Sequence, residues 1–183
     1  MDTATFYATT SAVSFTLLGF WWVVVQFRHD EMTGDPGRRR LAFVVSLHFI
    51  LPGLMSLGAL LTGDAPIVWR LTFGTAGIAG MVAVVLASRG VTDPTGAIEA
   101  VGRFEWLALP LYAILTLVAF FPELIRDTFQ LMPLQVEGVV MTFLVFLGII
   151  FAWALFTEPH LDRSTVEAKA PPDQPSGASS SRA

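Results

Sequence analysis

The stretch VVMTFLVFLGIIFAWALF, Val139–Phe156, decides the fold: eighteen residues pass without a charged group or a proline. A helix needs about 20 mostly apolar residues to cross a hydrocarbon core roughly 30 Å thick, and with its polar lead-in this segment reaches that length. Working outward, three more runs meet the same criterion: Phe6–Phe27, Leu41–Leu61 and Ile67–Ala87. A fifth lies near 104–121. Its apolar part, Trp106–Phe121, is shorter and contains Pro110.

Composition agrees with this reading. Only 14% of the 183 residues are charged against 54% hydrophobic, where a soluble domain carries roughly a quarter charged. The charges gather in short stretches around 28–40, 88–105, 122–137 and 157–183. The expected fold is therefore an all-α membrane bundle of about five transmembrane helices, with spans near 6–27, 41–61, 67–87, 104–121 and 138–156. The domain division that follows is a transmembrane unit over 1–158 and a tail over 159–183.

Arginine placement orients the bundle. With the N-terminus outside, the inner segments hold Arg28, Arg38, Arg39, Arg40, Arg89, Arg103, Arg163, Lys169 and Arg182, nine of the eleven basic residues. The outer segments hold Arg70 and Arg126. Basic residues concentrate on the cytoplasmic side of membrane proteins, so the C-terminus is expected in the cytoplasm. Removing the fifth span would spoil this asymmetry. Trp21, Trp22, Trp106 and Trp153 lie near inner ends and Tyr7 and Trp69 near outer ones, as headgroup-level aromatics do. The first run lacks a basic leader before its apolar core and reads as a permanent helix.

Between spans, Gly63–Pro66 reads as a tight outer turn and Asp93-Pro94 as the start of a short inner interfacial helix. The mixed segment Pro122–Glu137 suggests a short helix on the membrane surface. From Pro171 the chain is mostly Pro, Ser, Ala and Gly, a composition with too little to bury, and the tail is expected to be disordered.

In lipid, helices associate through close packing and interhelical hydrogen bonds. The third span carries Gly74, Ala76, Gly77, Ala79, Gly80, Ala83 and Ala87, and is expected at the bundle's centre or at a contact between subunits. The first span carries Thr9, Thr10, Ser11, Ser14 and Thr16, which point around the helix.

Ionisable groups at membrane depth are costly and mark candidate sites. His48 lies in the second span with Pro52 four residues on, a combination suited to a gate; with Ser11 and Ser14 these are the candidate pathway residues. Arg70 and Glu137 are candidates for an ion pair at the outer mouth, with Asp64, Glu123 and Asp127 as other partners for Arg70.

Cysteine is absent, which removes disulfides and thiolate chemistry. The three histidines are scattered, and no nucleotide, metal or hydrolase motif is present. No catalytic, cofactor-binding or metal site is expected, and no nucleic acid. The partners are the lipid bilayer and either further copies of the chain or another membrane protein. Two functions fit: a small homo-oligomeric channel or transport component, and a non-catalytic accessory or assembly subunit of a larger complex. The Ala, Gly, Val and Arg content suits a bacterial inner (plasma) membrane.

Overall fold

A computed structural model describes residues 2–30, 36–62, 65–88 and 106–157. Among these the chain is all-helical, without strands: α1 (Thr3–Phe27), α2 (Pro36–Leu61), α3 (Pro66–Ser88), α4 (Ala108–Phe120), α5 (Pro122–Phe129) and α6 (Pro133–Thr157). Four of them, α1, α2, α3 and α6, are long and apolar enough to cross a membrane. The 159–183 tail, the inner segment at Asp93-Pro94 and the Gly63-Asp64 half of the Gly63–Pro66 turn lie outside the described residues.

Several starts fall earlier than the apolar runs suggest. Proline fixes φ near the helical value and needs no hydrogen-bond donor in a first turn, and Pro36, Pro66, Pro122 and Pro133 each open a helix. The Arg38–Arg40 triplet is consequently helical, with Arg38 buried and Arg39 and Arg40 exposed. The fifth expected span is α4. Its 13 residues rise only about 20 Å, short of a full hydrocarbon core.

Side-chain contacts give the direction of each helix. On α3, Gly74 faces Phe120, Gly77 faces Thr116 and Gly80 faces Tyr112. The numbers rise on one helix as they fall on the other, so α3 and α4 are antiparallel. A Cβ at Gly80 would stand 2.5 Å from the Tyr112 ring; the missing side chain lets α4 lie close. By contrast, Tyr7 reaches Leu134 and Arg28 reaches Leu155, so α1 and α6 run parallel along their whole length. Hereafter the upper end is where α1, α3 and α6 begin.

The centre belongs to α2, not to the small-residue third span. Among the described helices α2 packs on α1, α3 and α6, whereas α3 meets only α2 and α4. Gly74, Gly77 and Gly80 allow close approach, but all three serve one neighbour, α4. The core has an upper part around Tyr7, Met55, Phe73, Tyr112, Met141 and Leu144, and a lower part around Trp21, Val45, Phe49 and Phe151.

Three aromatics expected at the headgroups are core residues. Trp21 is buried and its Nε1 donates to the Ala42 carbonyl at 3.0 Å. Tyr7 is buried and its hydroxyl donates to the Leu134 carbonyl at 2.7 Å. Trp69 packs edge-on against Phe73, ring centroids 6.2 Å apart. Trp22, Trp106 and Trp153 do face outward.

Candidate functional site

The inward side of α6 is a seam: Glu137, Met141, Leu144, Gly148, Phe151 and Leu155 are all buried. Alternating steps of four and three residues keep one face toward neighbouring helices. Glu137 is the first member of that seam, so the local helix aims a carboxyl group into the bundle rather than toward its rim. Its exposure is 0%, and neither carboxylate oxygen has a hydrogen-bond partner among the described residues. The helix start that places it is closed locally, the Met132 amide donating to Gln135 Oε1 at 3.4 Å.

Tyr7 approaches this stretch of α6, its hydroxyl held by the Leu134 carbonyl three residues before Glu137. Tyr7 and Glu137 each stand four residues inside their helices, about 6 Å from the upper ends. Ser56, five residues from the end of α2, sits at a similar level; it too is fully buried, its hydroxyl without a partner among the described residues. Two clefts open at this end. One, of about 250 Å³, lies between α1 and α6 and is lined by Phe6, Tyr7, Leu134 and Gly138. The other, of about 380 Å³, is lined by Trp69, Arg70, Arg126 and Leu134. Leu134, whose carbonyl holds Tyr7, borders both.

Arg70 pairs with Glu123, Nη2 to Oε1 at 3.7 Å, and not with Glu137. The reason is the seam: Glu137 turns inward, while Glu123 is exposed at the start of α5, beside the cleft that Arg70 lines. That pair is largely solvated and contributes little.

The other candidates are placed differently. His48 is mid-helix in α2 with 0% exposure. Its Nδ1 lies 2.9 Å from the Val44 carbonyl, and its ring packs at 5.9 Å from Tyr112 and 5.5 Å from Phe151. No bonding partner for Nε2 occurs among the described residues. Pro52 is buried, and α2 runs through it as one helix. Ser11 and Ser14 do share a stripe, with Tyr7 and Trp21, on the buried side of α1, whereas Thr9 and Thr16 are exposed and donate to carbonyls four residues back. Ser14 is fully enclosed, and its Oγ has no partner among the described residues. The structure thus brings together Tyr7 and Glu137 near one end and packs His48 against rings in the middle.

Glu137 reads as a rim residue from its place just before the apolar run. The spacing from Glu137 to Met141 and Leu144 was the available signal. Chemically, an enclosed carboxyl beside a phenol can bind and release a proton; no group of acids and histidines able to hold a metal ion occurs among the described residues. No protein-family model, curated protein or solved structure matches the chain.

Proposed function

We propose that the chain is a small membrane transport component in which Glu137 exchanges a proton, working as a homo-oligomer in a bacterial-type inner membrane. The observation that carries this is the enclosure of Glu137 with both oxygens unbonded among the described residues. A buried polar group without a partner costs a few kcal/mol, and an unpaired charge costs more. Packing alone would be served better by leucine at that seam position. Glu137 lines neither cleft, but its neighbours Leu134 and Gly138 on the same helix line the one between α1 and α6, so on this reading a small local opening would connect the carboxyl with the surface.

The topology of this reading is five passes with the N-terminus outside and the C-terminus in the cytoplasm. Two things support it: the distribution of arginines, and the antiparallel return of α4 along α3, which keeps the helices alternating in direction. The short α4 then completes its crossing with flanking residues or a locally thinned bilayer. In this orientation Glu137 lies in the outer half.

The accessory-subunit reading draws on a different observation. His48, Ser11 and Ser14 sit in a closed core, which argues against a water-filled path through the middle of one chain. Purified protein in liposomes separates the two. Under an imposed pH gradient and a valinomycin-set potential, an internal pH dye should report proton entry clearly above that into empty liposomes. Glu137→Gln should return it to background. Wild-type flux equal to empty liposomes would remove the transport reading and leave the accessory one.

A further inference from the structure

The lower half of α3 turns its alanines toward α2 without filling the space between them. Phe43 and Leu47 of α2 and Ala79, Ala83 and Leu86 of α3 bound a groove of about 770 Å³. The groove is long in one direction: from Ala79 to Ala87, both of which line it, α3 rises about 12 Å. Its walls are almost wholly apolar, and Arg39 and Arg40 stand at its lower end. Both guanidinium groups are exposed, and neither forms an ion pair or hydrogen bond with another described residue.

We propose that this groove binds an anionic phospholipid, with the phosphate between Arg39 and Arg40 and one acyl chain along the alanine-lined wall. Guanidinium groups recognise phosphate through paired charge-assisted hydrogen bonds, and basic pockets between membrane helices on the cytoplasmic side hold anionic headgroups. The occupant must therefore carry negative charge at one end and hydrocarbon at the other. A second copy of this chain meets only half of that requirement. Small-residue ridges do join helices, but a two-fold contact places each patch against its own image, and here that would set the arginines of one copy near those of the other. An anionic lipid satisfies both ends at once.

Native mass spectrometry of the delipidated protein in detergent, titrated with dioleoyl phosphatidylglycerol or dioleoyl phosphatidylcholine, tests this. The wild type should prefer the anionic lipid, and each of Arg39→Gln and Arg40→Gln should cost about fivefold of that preference. Ala83→Phe, which fills the groove from its α3 wall, should weaken binding of both lipids while the protein stays monodisperse. Glycerol phosphate, the headgroup without chains, should not compete. Unchanged preference in the double arginine variant overturns the proposal. So does equal competition by glycerol phosphate, which would mean a simple anion site. A dimer that forms without lipid and is lost in Ala83→Phe would assign the groove to a second copy instead.

Discussion

Arg28 Nη1 donates to the Leu155 carbonyl at 2.8 Å and to the Phe156 carbonyl at 2.9 Å. The last carbonyls of any helix lack partners within the helix, and here the residue just past α1 supplies them for α6. A basic residue that reads as a topology signal is therefore also the lower clamp between two parallel helices, the upper one being Tyr7 on Leu134. Replacing Arg28 by Ala should destabilise the protein by about 2 kcal/mol, the range of hydrogen bonds to a charged donor. Arg28→Lys should recover only part, since one ammonium is a poorer match for two neighbouring carbonyls. Thermal unfolding in detergent measures both.

At the upper clamp, Tyr7→Phe removes one neutral hydrogen bond and leaves the ring in place. The expected loss is about 1 kcal/mol, with the T-shaped contact to Phe73, ring centroids 6.3 Å apart, preserved. If the Tyr7 hydroxyl also lies on the proton route, flux through Glu137 in liposomes should fall in this variant by more than the stability loss explains.

What could be read from the sequence and what could not divide along a physical line. Helix positions follow from charge-free length, because a bilayer imposes it. Which side of each helix turns inward does not, because in lipid both the packed and the exposed sides are apolar and the amphipathic pattern of soluble helices disappears. Glu137 shows the cost of this. Its neighbours on either side, Val136 and Gly138, say nothing about direction, and only the buried seam through Met141 and Leu144 does. The third span shows the reverse: its glycines do mark close packing, against Phe120, Thr116 and Tyr112, but close packing on one side does not put a helix at the centre of its own bundle, and of the two places its small residues suggested only that one is set aside. The Arg70 partner was open among several acids, and the inward turn of Glu137 left it to Glu123.

Gly148 is a second place where the seam can be tested. A Cβ there would stand 2.8 Å from the Cβ of His48 and 3.0 Å from the Phe49 ring. Gly148→Ala should therefore cost about 1–3 kcal/mol through overpacking. His48→Ala should not rescue it, because alanine retains the very atom that is struck. A rescue measured in the double variant by thermal unfolding would mean that α2 and α6 are further apart than described.

Gln130 ends α5 in the left-handed region, φ 56°, with its amide donating to the Arg126 carbonyl at 3.0 Å. This is the conformation in which glycine escapes a steric penalty of about 1 kcal/mol. Since Gln130 is exposed, Gln130→Gly should raise the unfolding temperature slightly, with proton flux unchanged.

Under the proposed transport function His48 and Glu137 make opposite predictions, and the contrast tests which of the two settings suits it. Both are fully enclosed. His48 is mid-helix, bonded through Nδ1 to its own helix and clasped by two rings, while Glu137 lies about 6 Å from a helix end, beside Tyr7 and Leu134, which line a cleft. A group that must trade protons with water needs the second setting. Glu137→Gln should abolish proton entry into liposomes, and Glu137→Asp should retain part of it. His48→Gln, which keeps a hydrogen-bonding side chain of similar length, should leave the rate within about twofold once the reconstituted fraction is measured. If the His48 variant is the silent one and the Glu137 variant conducts, the working site belongs at the middle of α2 and the enclosed carboxyl is a neutral element of the packing.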